Sequence, residues 1–504
     1  MQPESLLERA PAPATGWHKA GFKTLLARLF SFPAFLIAGL AVVTVFTVSN
    51  RFDDPDLWWQ LKIGQIIATT HSIPTTDLFS FTAQGHPWTA HEWLAQLSMY
   101  GVYAAGGYRA LMVWLCVCAS LMAILVYVLC LIETGDELVS LLGALIAWLF
   151  ATVGMAIRAL VLGNLFLVME MLFLELGRRR DRRWLWCLPP LFAVWANCHA
   201  SYVFGLAVLG VYWICARVNW KCGLIVCDEK WDKRGRTTLG LMLFLCTGAL
   251  CCNPVGIHLL IYPFNTVFRL FQQSSSVGAV QEWMPPDLSG GRPILMVAAV
   301  LVVLLLTMLR RSELRLRELL LVLMAFGLAL QHVRMMVLFG IVTGPVVCRL
   351  LVPELRRGAS RQHPIVNATM ILASLAAIVW GFPTAASLEA QVRKESPVAA
   401  VDYIRQAHLP GPMLNAYEFG GYLIWALPQE KVFIDGRADV YDWAGVFAEY
   451  GRWATLSEDP NAMLDKYGVR LCILEKDAPL AQVIPHLTGW RKTYSDDVAV
   501  VFTR

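Results

Sequence analysis

Apolar runs of about twenty residues recur along this chain, each closed by a short polar or basic stretch. A helix that crosses a bilayer needs about 17–25 such residues. Runs near 30–49, 109–131, 138–157, 159–177, 184–200, 201–218, 237–256, 293–309, 318–333, 335–351 and 364–383 meet or approach that length. The pattern predicts a polytopic all-α membrane bundle of about eleven transmembrane helices over 30–383. The runs are shortest in the pairs 184–218 and 318–351, where losing one hairpin changes the count but leaves both ends in place.

Two stretches break the pattern. The first, 50–108, is too long for a simple connector, and such loops usually carry function. Within it, Asp56–Thr69 reads as a helix with Leu57, Trp58, Leu61, Ile63, Ile66 and Ile67 on its apolar side. Its paired tryptophans suit the headgroup level, so the helix is expected to lie along the outer surface. His71–Pro87 is rich in Pro, Thr, Ser and Gly and reads as irregular chain, and Trp88–Tyr103 as a second helix. The second stretch, 384–504, alternates helix and strand signals. Ser396-Pro397 opens a helix to about 408, Asp459-Pro460 opens another, and Val432–Ile434 and Leu471–Leu474 resemble buried strands. Arg491–Tyr494 and Val498–Phe502 read as a closing hairpin, giving a small α/β domain. Three parts result: a tail over 1–29, the bundle over 30–383, and the α/β domain over 384–504.

Composition sharpens this. Of 504 residues, 57% are hydrophobic and 16% charged, against about 25% charged in soluble proteins. The first run begins near residue 30 and lacks a small-residue cleavage site, so it reads as a span, not a signal peptide. With the N-terminus inside, the predicted cytoplasmic pieces carry 23 Lys or Arg and the predicted outer loops 7. That bias places the N-terminus in the cytoplasm and 384–504 on the outer side of the membrane. Cys472 is the single cysteine of the tail, which excludes an internal disulfide there, and Cys222 and Cys227 lack partners for a zinc site. No phosphate-binding or dinucleotide glycine loop occurs, so no nucleotide cofactor is expected, and nothing points to nucleic acid.

Carboxylates at a membrane face need a reason, and the segment RFDDPDLWW places Asp53, Asp54 and Asp56 directly after the first run. At a loop-to-helix corner Asp54 and Asp56 can converge, to deprotonate a hydroxyl or to hold a divalent cation such as Mg or Mn, Asp56 being its ligand. The bland alternative is a helix cap; Asp53 reads as a solvated neighbour. His91 and Glu92 are adjacent, so one can face a site while the other bonds a neighbouring helix. Asp77 reads as a turn cap. Arg158 and Arg334 fall near the outer ends of spans, together with Asn197, His199, Asn253, His258, Glu282 and His332. Guanidinium groups there could clamp a lipid phosphate bidentately or simply snorkel to headgroups. For His199 and His258 interhelical hydrogen bonding is the expectation. In FIDGRAD, Asp435, Arg437 and Asp439 could face the membrane site to bind substrate, or form a salt-bridged strand end.

These residues resemble a family. A first span, an acidic outward loop, a multi-span bundle and an extracytoplasmic tail look like the C-type glycosyltransferase (GT-C) fold. DPDLWWQLKIGQII, IPTTDLFSFT, HPWTAHEWLAQ, WANCHASY and FGGYLIW with KVFIDGRADVY resemble bacterial membrane proteins grouped with those enzymes. The resemblance implies that the first-loop acid, here Asp54 or Asp56, activates the acceptor or binds a divalent cation. It implies a helping acid at Glu92 or Glu282. The double tryptophan of the oligosaccharyltransferase acceptor segment is replaced by Glu418-Phe419, which argues against a peptide acceptor. The reading is a glycosyltransferase moving a sugar from a polyprenyl-phosphate-linked donor, among membrane lipids, to an extracytoplasmic acceptor. Catalysis falls to Asp54, Asp56 and Glu92, and substrate binding to His91, Arg158, Arg334, Asp435 and Arg437. Its rival is a transporter, flippase or envelope scaffold for lipid-linked glycans.

Overall fold

The computed structural model describes residues 28–227, 229, 231–262, 281–355 and 363–504. Most of the N-terminal tail and Arg269 lie outside the described residues. Among the described residues twelve helices build the bundle region: α1 (Phe32–Val48), α2 (Asp56–Thr70), α3 (Trp93–Thr134), α4 (Glu137–Ala151), α5 (Leu160–Arg179), α6 (Leu188–Ala196), α7 (Tyr202–Cys215), α8 (Lys233–Ala249), α9 (Gly291–Arg310), α10 (Leu316–Gln331), α11 (Met336–Leu355) and α12 (Pro364–Gly381). Among the described residues six helices are long and apolar enough to cross a membrane, which makes this a membrane protein.

Two expectations about the apolar runs change. The helix expected over 88–103 and the span over 109–131 are one 42-residue helix, α3, kinked at Gly106-Gly107. Gly107 has φ 60° and ψ −148°, a conformation only glycine adopts easily, so the helix bends without ending. The run 184–200 is not one full-length helix. A tight turn (Arg182–Cys187) leads into α6, whose nine residues rise about 14 Å, under half a bilayer core of about 30 Å. The chain turns at Asn197, whose side-chain amide donates to the carbonyls of Ala193 and Cys252.

Small residues set the closest helix packing. Gly340 and Gly344 of α11 lie against the backbone of Ala147 and Gly143 of α4, where a Cβ would clash, as close-packed membrane helices require. Leu309 of α9 and Val379 and Trp380 of α12 are left exposed and apolar. At the C-terminal end of α3 an ion network joins the helices. Glu175 accepts from Arg178 (2.6 Å), Arg179 (3.1 Å) and the Tyr212 hydroxyl (2.8 Å) and pairs with Arg317. Arg317 also binds Glu229 (3.1 Å), and Glu318 binds Arg315 and Arg349. Removing one member strands buried charge, so Glu175→Ala is expected to cost about 3–5 kcal/mol. Thermal denaturation in detergent reads this out; an unchanged midpoint would contradict it.

Beyond α12 come α13 (Ala385–Glu395), α14 (Val398–Ala407), α15 (Gly420–Ala426), α16 (Ala438–Trp443) and five further short helices or turns. A four-stranded sheet has the order β4 (Met413–Asn415), β5 (Leu471–Glu475), β7 (Ala499–Thr503), β6 (Arg491–Ser495), counting the small hairpin strands β1–β3 (Trp220–Cys222, Ile225–Cys227 and Leu314–Arg315) first. β4 and β5 are parallel and the other pairs antiparallel. Val432–Ile434 is not a strand of this sheet. Val432 makes a single bridge to Ser80 of the first loop, and the Asn415 side chain bonds Phe433 N and Ile434 O in place of a ladder.

The tail docks on the first loop. Helix α2 does not lie open along a surface: Leu57, Trp58, Trp59, Leu61, Ile63 and Ile67 are all buried between α3 and the tail. Each such side chain contributes roughly 1.5–3 kcal/mol on burial, so the contact is a shared core. Trp59, Ile63, Ile67 and Trp88 join Phe419, Leu423, Ile424, Phe433 and Tyr441 in one cluster. Close approach needs glycine: a Cβ on Gly421 would strike the Pro55 carbonyl, and one on Gly436 would strike Asp56 Oδ1.

Candidate active site

The corner between α1 and α2 brings the acids together. Asp54 Oδ1 accepts the Asp56 amide (2.9 Å), which opens α2, so Asp54 does cap the helix. Its other oxygen lies 3.3 Å from Arg158 Nε. Arg158 Nη2 donates to Glu282 (2.6 Å), and Arg334 Nη1 donates to the other Glu282 oxygen (3.3 Å). Arg334 also lies over the Trp283 ring at 4.1 Å. Asp56 Oδ1 accepts from Trp59 Nε1 (2.9 Å), one turn along the helix. Gln60 fixes the Arg158 loop by accepting the Ala159 amide (3.1 Å). Asp53 is exposed.

The start of α3 forms a second wall. Glu92 Oε1 stands 3.5 Å from His199 Nε2 and 3.8 Å from His91 Nε2. Trp93 Nε1 donates to Asn197 (2.6 Å), which holds the turn carrying His199. His199 thus faces the site where hydrogen bonding between helices was expected. His91 packs on the Tyr262 ring at 4.8 Å, and the Tyr262 hydroxyl donates to Asp439 (3.2 Å).

The tail supplies a third wall. Asp435 is fully buried and taken up by Arg437 (2.8 and 2.6 Å) and Tyr441 (2.5 Å). Asp77 also pairs with Arg437 (2.7 Å) while accepting from the Phe79 and Ser80 amides. The Arg437 guanidinium lies over Phe79 and Trp88. The Arg437–Asp77 pair therefore locks the tail to the first loop, the salt-bridged alternative, while Arg437 also borders the cavity with its Nη1 unpartnered. Asp439 does reach the site.

The three walls enclose a cavity of about 260 Å³ bordered by Asp56, Glu92, Arg158, Arg334 and Asp439 among others. Asp54 borders a second cleft, about 350 Å³, on the other side of the corner. Several cavity residues escaped the sequence reading, Gln60, Gln96, Tyr262, Trp283 and Asp442 among them. Gln96 looked like one polar residue on a helix, and Tyr262 stood in an unassigned loop; neither carried a motif.

Burial sets the protonation behaviour. It pushes the Asp56 carboxyl well above the usual carboxylate range, and the Asp54 charge adds to this, while the Trp59 N–H opposes it. Burial also raises Asp54, partly offset by Arg158, and raises Glu92. Against the cost of burial, Arg158 and Arg334 hold Glu282 below its ordinary value. Burial and Arg334 keep His199 well below the imidazole range, so it is neutral. The Trp59 hydrogen bond stabilises charged Asp56, so Trp59→Phe is expected to raise the Asp56 pKa further. Asp54→Asn removes a like charge and should lower it. Infrared titration of the protonated carboxyl band reads both; shifts of the same sign would contradict the assignment.

A divalent cation needs several converging oxygens. Among the described residues no three His, Cys, Asp or Glu side chains converge in that way. Arg158 stands beside Asp54, and Trp59 takes one Asp56 oxygen. Among the described residues no ready-made cage for a cation is formed, and no step is routed through one.

The class defined by this architecture is the GT-C fold. The chain is similar to the Archaeoglobus fulgidus oligosaccharyltransferase in its apo form (TM-score 0.51, 12% identity, covering 87% of this chain and 69% of that one). It is also similar to ArnT from Cupriavidus metallidurans bound to undecaprenyl phosphate (TM-score 0.51, 14% identity, covering 93% and 97%). The archaeal enzyme has also been solved as AglB with an inhibitory peptide and a dolichol-phosphate, at 12% identity and TM-score 0.51. No protein-family pattern and no curated protein matches the chain.

Proposed function

We propose that this protein is an inner-membrane glycosyltransferase that moves a sugar from a polyprenyl-phosphate-linked donor to an acceptor outside the cytoplasm. The bundle provides the spans, about eleven in all, with the N-terminus inside and the tail an extracytoplasmic α/β domain. The observation that carries the reading is the Asp54–Arg158–Glu282–Arg334 chain of contacts, which places two guanidinium groups beside Asp56 at one cavity. Acids for a hydroxyl and cations for a phosphate then share one wall.

Asp56 takes the proton of the acceptor hydroxyl. The acceptor oxygen bonds to the anomeric carbon as the bond from that carbon to the phosphate oxygen breaks, and its electron pair leaves with the phosphate. Arg158 and Arg334 stabilise the charge that grows on the leaving oxygen. Asp54 holds Arg158 and α2 in place. Glu92, beside neutral His199, acts as the helping acid. ArnT in complex with undecaprenyl phosphate supports a lipid phosphate as the leaving group.

Reconstituted protein supplied with polyprenyl-phosphate sugars and a cell-envelope extract tests this. Release of polyprenyl phosphate coupled to labelled sugar in the extract is expected. Flipping of intact donor between leaflets with no bond cleavage would overturn it in favour of the transporter.

A further inference from the structure

Two imidazoles flank one oxygen of Glu92, and the far nitrogen of each ring decides which can share its proton. His199 Nε2 lies 3.5 Å and His91 Nε2 3.8 Å from Glu92 Oε1. The backbone holds both far nitrogens, with groups of opposite kind. The Ser201 amide donates to His199 Nδ1 (3.0 Å). That nitrogen carries a lone pair, so the proton of the neutral ring is on Nε2. His91 Nδ1 lies 3.3 Å from the Thr89 carbonyl oxygen, which can only accept. There Nδ1 carries the proton, and Nε2 of the neutral ring is bare.

Both arrangements are built into the walls. The Thr89 carbonyl also takes the His91 amide (2.8 Å) at the turn before α3. Opposite, Gly163 of α5 leaves room for the turn from His199 to Ser201. A Cβ there would strike Ser201 Oγ and come within 3.1 Å of His199 Nδ1. Ser201 Oγ accepts from Trp195 Nε1 (2.9 Å). Neutral His199 is thus a fixed donor toward Glu92 Oε1. Neutral His91 offers that oxygen only a lone pair, and one proton between the two makes the contact attractive. Burial and Asp439 favour the acid form of Glu92, while His91, Arg334 and Arg158 favour the carboxylate. The Tyr262 ring covers His91 at 4.8 Å.

We propose that Glu92 and His91 share one proton, and that His199 positions the shared oxygen by donating to it. The pair is a carboxylic acid with a neutral imidazole, or a carboxylate with an imidazolium. Passing between them breaks one O–H bond, forms one N–H bond and leaves the pair's charge at zero. On the glycosyl-transfer reading, on which its use depends, Glu92 gives its proton to the departing phosphate oxygen. Bare His91 Nε2 then takes a proton from cavity water and returns it to Glu92 Oε1. His91 is the more exposed of the two side chains, 18% against 12%.

Nitrogen-15 NMR of the full chain, labelled at histidine and held in nanodiscs, tests the shared proton without turnover. His91→Gln and His199→Gln assign the two rings. His199 is expected to show a bare Nδ1 and a protonated Nε2, and His91 a protonated Nδ1 with a partly protonated Nε2. Glu92→Gln should return His91 Nε2 to a bare nitrogen and leave His199 unchanged. A proton on His199 Nδ1, or a His91 signal unmoved by Glu92→Gln, overturns the proposal. In the transfer assay His91→Gln is expected to lower kcat about a hundredfold with the donor KM kept, and added imidazole to restore part of the rate to His91→Ala. His199→Leu should lower kcat about tenfold, and His199→Gln, which restores an N–H donor, should recover most of it. Equal losses from His91→Gln and His199→Gln overturn the division of roles. Absence of sugar transfer would sink the catalytic reading and leave the NMR result standing by itself.

Discussion

Asp56→Asn is expected to lower sugar transfer by about a thousandfold with little change in the donor KM. The substitution keeps the size and one oxygen for the Trp59 N–H, so α2 should still form, but an amide cannot take a proton from a hydroxyl. The loss should therefore fall on kcat. Asp54→Asn gives a different signature. It keeps an oxygen for the Asp56 amide but loses the charge facing Arg158, so its defect should be smaller and accompanied by lower stability. An Asp56→Asn enzyme within about tenfold of wild type would contradict the assignment of the base.

Arg158→Ala is expected to cut kcat/KM for the donor by about a hundred- to a thousandfold. It is also expected to destabilise the protein by about 3–5 kcal/mol, because it strands Asp54 and Glu282 partly buried without their common partner. The two effects separate with Arg158→Lys. Lysine restores a charge near both acids but not the planar fork that engages them together, so stability should return further than activity. Loss of stability with donor kinetics intact would make Arg158 a purely structural link.

Much of the architecture was legible because a bilayer permits few alternatives. Long apolar runs must be helices, and acids beside them must be paired or used. What failed was length and partnership. The run 184–200 is apolar enough, but helix α6 ends after nine residues at Asn197, whose side chain finds carbonyls on another segment. The paired tryptophans of α2 looked interfacial because the sequence does not announce that the tail covers them. Arg437 shows the same limit. FIDGRAD signals charges at the end of an apolar run, but its partner Asp77 lies far back in the first loop. Asp54 is the cap the sequence allowed and also an ion-pair partner of Arg158, which the sequence did not announce. Gln96 and Tyr262 were invisible, since neither residue type marks a site until the cavity closes around it.

The central claim is that Arg158 and Arg334 hold the phosphate of a polyprenyl-linked sugar beside Asp56. Mass spectrometry of lipids that co-purify with wild type and with an Arg158→Ala, Arg334→Ala double variant tests it most directly. Enrichment of a polyprenyl-phosphate sugar on the wild type and its loss from the variant is the predicted result. Bulk phospholipid alone on both proteins would contradict it.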